Sequence, residues 1–326
     1  MRCLPVLLVS YTLMSGSDHA MYIAMATSKN YVVGAKLPPS GVFRRTSTDD
    51  WRQVGYNHPF SFALDYDRRD PGIVYLAAGN GLIRMTDRGN RWKLLTGSDV
   101  TEARDVSVGG DNAIWFGHTA GVRVSRDAGK SWTEVGTPLR RQYTEAIRVD
   151  RTKPATVLVG GEEGIFRTQD AGKTWRLAGA SGIQIMNIEQ SPHDACFWLA
   201  TTQNAGLFAS RDCGRSFENT PRFGVDRVLY TIGFDPVNPQ RITVAGWGFG
   251  VAVSEDKGAN WQFRNSGLPS IDVWSAAFDP STPGRLWASV HEEAIYRSDN
   301  AGQTWVRDGL EGSTVYRMLF VPGANR

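Results

Sequence analysis

The segment Gly121 to Trp132, GVRVSRDAGKSW, returns as GIFRTQDAGKTW from Gly164 to Trp175 and as GVAVSEDKGANW from Gly250 to Trp261. An internal repeat constrains a fold more than any other feature, because each copy must make the same supersecondary unit. Two close relatives, GLFASRDCGRSF and AIYRSDNAGQTW, end at Phe217 and Trp305, the second with Asn300 in place of the Asp. Two degenerate copies end at Trp92, with Met85 at the Ser position, and at Trp51, one residue short. The terminal aromatics 51, 92, 132, 175, 217, 261 and 305 are separated by 41, 40, 43, 42, 44 and 44 residues.

Each copy follows the same plan. Two apolar runs precede the box, for example Val273 to Asp279 and Arg285 to Val290, with Asp-Pro or Pro-Gly between them. With the run entering the box and the one after the Trp, each unit carries four strands, A to D, and no helical period intervenes. Such a unit repeated seven times predicts an all-β, seven-bladed β-propeller of four-stranded antiparallel blades. The ends predict its closure: Thr314 to Arg326 aligns with strand A, while Met21 to Ser28 aligns with strand B. The C-terminal strand should therefore complete blade 1, making residues 21 to 326 one domain.

These boxes resemble those of the Asp-box, or BNR-repeat, propellers, a superfamily that includes sialidases, xyloglucanases and the photosystem II assembly and stability factors. The resemblance implies the fold directly. In the box, Asp87, Asp127, Asp170, Asp212 and Asp256 should accept backbone N–H groups across the C–D turn. Trp92, Trp132, Trp175, Phe217, Trp261 and Trp305 should cover the blade edges. These are turn-locking roles, not catalytic ones.

In an up-and-down blade the boxes share a face with the A–B loops, and the B–C and D–A loops emerge on the other. In the enzymes the chain resembles, ligands sit over that second face. Its candidates are Arg104, Arg140, Arg141, Tyr143, Glu145, Arg227, Tyr230, Trp247, Phe249, Trp274, Tyr316 and Arg317, with Glu102, Arg222, Asp272 and His291 among their neighbours. The arginines suit an acidic protein partner, as in the assembly factors, and the aromatics a protein or a sugar. The reading is a non-enzymatic scaffold that presents this face to a protein or a membrane-protein complex. The alternative is a glycan-binding or glycoside-hydrolase-like propeller, which requires a pair of carboxylates across a cleft. No Phe-Arg-Ile-Pro segment of the sialidase kind precedes the first box, and the second propeller of a xyloglucanase has no counterpart here.

Charge narrows the partners. Lys plus Arg number 36 against 33 Asp plus Glu, a net +3 that creates no polyanion-binding field, so nucleic acid is not expected. The five histidines show no metal-ligand spacing, and neither a metal nor a cofactor motif is present. No apolar run reaches the length of a transmembrane helix. Residues 1 to 20 read as a signal peptide or an N-terminal extension, placing the protein in the periplasm or outside the cell; if Met21 is the true start, the protein is cytoplasmic. Hairpin register sets Cys196 opposite Arg211, two positions from Cys213, so a disulfide between the two cysteines is expected. Loss of Cys3 with the leader would leave an even number, which fits export.

Overall fold

The computed structural model describes residues 19–29, 39–45, 50–136, 138–220 and 223–323. These form seven four-stranded antiparallel sheets around one axis. Blade 1 is made by both ends of the chain: strand A is Ser313–Pro322, strand B His19–Thr27, strand C Gly41–Arg45 and strand D Trp51–Val54. The expected closure is thus observed, with Ala20 paired to Val321 and Tyr22 to Leu319. Strand B begins at His19, two residues ahead of the expected Met21. The rest of the proposed leader, and the last three residues of the closing segment, lie outside the described residues.

The innermost strands A of blades 2 to 7 are Ser61–Tyr66, Ala103–Val108, Thr144–Val149, Ile185–Gln190, Val228–Phe234 and Val273–Phe278. Strand B is buried along nearly its whole length in every blade because both its faces pack on neighbouring blades, as in Val74–Ala78 and Leu286–Val290. Hence the strands B read as continuous apolar runs. Short, exposed D strands such as Thr133–Glu134 and Gln262–Phe263 form the rim, where the brevity of the edge resists pairing with another chain.

The boxes lock the C–D turns. Asp127 Oδ1 accepts the Ser125 hydroxyl at 2.8 Å and the N–H groups of Lys130 and Ser131 at 3.0 and 2.9 Å, while its Oδ2 accepts the Ser131 hydroxyl at 2.6 Å. Asp170, Asp212 and Asp256 repeat this pattern. Gly129 supplies the positive φ, +82°, that the turn needs. The indoles of Trp132 and Trp305 reach the preceding blade, donating to the carbonyls of Leu95 and Arg264.

Blade 2 departs from the expectation. Met85 has no hydroxyl to anchor Asp87, and the turn becomes a short 3-10 segment with Asp87 and Arg88 both at positive φ. Trp92 falls within the outer strand Arg91–Leu94 and is 47% exposed, meeting the Tyr56 ring at a 50° tilt with centroids 4.7 Å apart instead of capping an edge.

A bulged ring around an axial funnel

Each strand A carries one register shift near its start, on the face of the D–A loops. The extra residue is Phe62 in blade 2, Arg104 in blade 3, Glu145 in blade 4, Met186 in blade 5, Tyr230 in blade 6, Trp274 in blade 7 and Tyr316 in blade 1. A bulge leaves its residue out of the ladder and re-aims its side chain. Here all seven line a single axial funnel of about 430 Å³.

The ring is asymmetric. Tyr230 stacks on Trp274 with centroids 4.3 Å apart, Trp274 meets Tyr316 edge-on at 5.3 Å, and Tyr316 meets Phe62 at 6.1 Å. Trp247, 39% exposed at the end of its strand B, extends this arc to the mouth through His291 and Trp274. The remaining sector is charged. Arg104 forks onto both oxygens of Glu145 at 2.9 and 2.8 Å, donates to Glu102 at 2.9 Å and lies 4.0 Å over the Phe62 ring. Burial and the neighbouring Glu145 carboxylate push the Tyr143 phenol well above its ordinary range. Tyr230 is raised likewise, first by burial, then by Glu145 and Asp272.

Below the ring an ion lattice closes the axis. Arg148 donates to Asp105 at 2.7 Å and forks onto Glu189 at 3.1 and 2.7 Å. Arg317 reaches the same two carboxylates from blade 1, at 3.4 Å to Asp105 and 3.2 Å to Glu189. Its guanidinium borders both the funnel and a second cavity of about 690 Å³ that opens on the box face.

Of the residues singled out from sequence, Arg104, Glu145, Tyr230, Trp274, Tyr316 and Arg317 line the funnel, Tyr143 stands behind it with its ring 5.7 Å from the Arg104 guanidinium, and Trp247 rims it. Arg140, Arg141 and Arg227 are exposed on the surrounding loops and do not enter it. The arginines inside are already matched to carboxylates, so the expected basic patch shrinks to the rim. Phe249 is a correction: it is 5% exposed and packs edge-on against Phe223 and Phe263 within blade 6. The Gly248–Phe249 turn directs the ring back into its own blade. Arg222 lies outside the described residues. Phe62 and Met186 were missed; their alignment with Trp274 and Tyr316 at the start of strand A was the available signal.

Among the described residues no group of three or more His, Cys, Asp or Glu converges as metal ligands. No helix among them is long and apolar enough to cross a membrane. Cys196 and Cys213 are joined by a disulfide. Strand B of blade 5 pairs Trp198 with Ser210, one residue off the expected register, which brings Cys196 beside Cys213.

The fold and site together define a seven-bladed propeller with one axial mouth shaped as an aromatic, partly charged funnel. Residues 43–325 match the family described as photosynthesis system II assembly factor YCF48, and the chain belongs to that family. It is 27% identical over 161 residues to the photosystem II assembly protein Ycf48 of Thermosynechococcus vestitus, covering 48% of this chain and 45% of that protein. It is 24% identical over 310 residues to the chloroplastic photosystem II stability/assembly factor HCF136 of Cyanidioschyzon merolae, covering 83% of this chain and 70% of the relative. The chain thus spans less than half of the first relative's length. Among solved structures, YCF48 bound to D1 peptide superposes with a TM-score of 0.61 at 22% identity, over 76% of this chain and 82% of that one. The GH74 xyloglucanase from Xanthomonas campestris superposes at 0.65 and 16% identity, over 79% of this chain and 46% of the enzyme. At these identities the structural likeness speaks to the fold alone.

Proposed function

We propose that this protein is a non-enzymatic assembly factor that holds a segment of a protein partner, itself part of a larger complex, in the axial funnel. The observation that carries the reading is the ring of bulged residues: seven blades each spend a ladder position to aim a side chain at one concave, aromatic-walled site. Buried aromatic anchors with a charged sector beside them are what protein-segment recognition uses. The solved relative described as bound to D1 peptide supports a peptide ligand. The arginine rim of Arg140, Arg141 and Arg227 would steer an acidic stretch flanking that segment. Export is part of the proposal, supported by the disulfide, which persists in oxidising compartments.

The carboxylates in the funnel are poorly placed for glycoside chemistry. Both oxygens of Glu145 accept Arg104 N–H groups, and Glu102 shares the same guanidinium. Glu145 therefore has no oxygen left for a glycosidic oxygen, and Glu102 alone is not the carboxylate pair that glycoside hydrolysis uses. Peptide-display panning against the wild-type protein and Trp274→Ala, run beside a glycan array and a glycoside hydrolysis screen, tests the reading. Peptides captured by wild type and lost by the variant support it. Glycan capture or turnover with no peptide enrichment overturns it.

A further inference from the structure

On the box face, where blade 4 meets blade 5, positive side chains converge around Arg167, which makes no direct ion pair among the described residues. Arg167, in the strand C Gly164–Thr168 of blade 4, is only 4% exposed. Its cross-strand partner is Arg176, so two guanidinium groups share one side of the sheet at the spacing where like charges repel. The box turn of blade 5 closes over them: a Cβ added to Gly214 would stand 3.7 Å from Arg167 Nε. The next residue, Arg215, lines a cavity of about 360 Å³ together with Lys153, Thr156, Arg167 and Gln169.

Arg167 Nε has no hydrogen-bond partner among the described residues. Its Nη atoms find only the neutral side-chain oxygen of Gln169, in the amide orientation that satisfies both groups. The two carboxylates that act on Arg167 also hold their own turns, Asp150 through Oδ1 and Asp212 through both oxygens. Asp150 accepts from Thr152 and Lys153 N–H, and Asp212 from the N–H groups of Arg215 and Ser216. Burial first, then Arg176 and Arg215, depress the Arg167 guanidinium below its ordinary value, outweighing the opposite pull of Asp150 and Asp212. A buried cation without a direct ion pair is costly, and here the fold places two further arginines, Arg176 and Arg215, beside it.

We propose that this cavity is an oxyanion site that takes a phosphoryl group, supplied by free phosphate or by a phosphomonoester. A doubly charged oxyanion matches several converging cations better than a single carboxylate does, and guanidinium N–H groups fit its geometry. The Cys196–Cys213 bridge fixes the turn that presents Arg215, one residue beyond Gly214. The site is on the opposite face from the funnel and stands or falls separately from the peptide reading.

Titration calorimetry with inorganic phosphate, glycerol 3-phosphate and acetate, at ionic strength matched with sodium chloride, tests it. The comparison protein is Lys153→Ala/Arg215→Ala, which changes two exposed side chains; its melting in chloride confirms folding. Phosphate or its ester should bind the wild type at least tenfold more tightly than it binds the variant, and more tightly than acetate binds the wild type. Binding by both phosphates identifies a free-anion site, and binding by the ester alone an esterified source; either supports the proposal. No binding above the chloride background, or equal affinity in the variant, overturns it.

Discussion

Arg317 Nη2 lies 3.4 Å from Asp105 Oδ1, so the closing strand of blade 1 is tied across the axis to blade 3, 212 residues away in sequence. The side chain of Asp105 is 1% exposed, and it also accepts N–H bonds from Val106 and Ile147. Replacing Arg317 by Met leaves two carboxylates to share Arg148. Removing one member of a buried ion network typically costs about 3 kcal/mol, and urea denaturation of Arg317→Met should lose that order of stability. Deleting residues 314–326 goes further, stripping strand B of blade 1 of its partner and exposing a long apolar edge. The truncated protein should associate; a monomer with unchanged melting temperature would show that closure is not needed.

The funnel separates binding from folding. Trp274→Ala removes the ring against which Tyr230 stacks, so affinity for captured peptides should fall at least tenfold, about 1.4 kcal/mol or more. Trp287, 1% exposed in the adjacent strand B, is the control. Its replacement by Ala should cost about 3 to 5 kcal/mol of stability. The double reversal Arg140→Glu/Arg141→Glu should weaken capture while moving stability by no more than about 0.5 kcal/mol. Equal peptide affinity in Trp274→Ala and wild type would move the binding surface elsewhere.

The repeat made the architecture readable, because box spacing counts blades and the offset of the termini reveals the closure. The bulges were not readable. A single extra residue at the start of strand A turns Phe62 and Met186, which alternate like core residues, into the wall of the funnel. Register also resists prediction at the single-residue level, as the Cys196 hairpin shows. Phe249 was misjudged for a related reason: a two-residue turn after an exposed Trp247 reverses the side from which the next ring projects.

Acid should loosen the boxes. The Ser131 hydroxyl and N–H hold Asp127 well below the usual carboxylate range, and Thr174 does the same for Asp170. Asp212 is held at about 2 although burial opposes it, chiefly by the N–H and hydroxyl of Ser216. These folded-state values are depressed, so the stabilisation is complete above the unfolded carboxylate pKa of about 4 and is lost as pH falls through the folded values. Blade 7 carries the uncharged version: Asn300 Oδ1 accepts the Thr304 N–H at 2.9 Å and the Ser298 hydroxyl at 2.8 Å. Asp127→Asn/Asp170→Asn should therefore fold and lose less stability than wild type between pH 5 and about pH 3. Parallel melting curves for the two proteins across that interval would show that the boxes do not drive acid unfolding.

The disulfide has a simple chemical test. The chain contains three cysteines, of which Cys196 and Cys213 are bonded and Cys3 lies outside the described residues. Protein made in an oxidising compartment, unfolded without reductant, should titrate one thiol if Cys3 is retained and none if residues 1–20 have been removed. Reduction should add two. The bridge spans a sequence separation of 17, so in the chain-entropy model it contributes roughly 3 kcal/mol, and Cys196→Ser/Cys213→Ser should lose stability of that order. The backbone bond from Cys213 N–H to the Cys196 carbonyl, 3.1 Å, keeps the hairpin end in place, so the double variant should still fold at low temperature. Two extra free thiols in unreduced protein would refute the bridge and remove the support it gives to export.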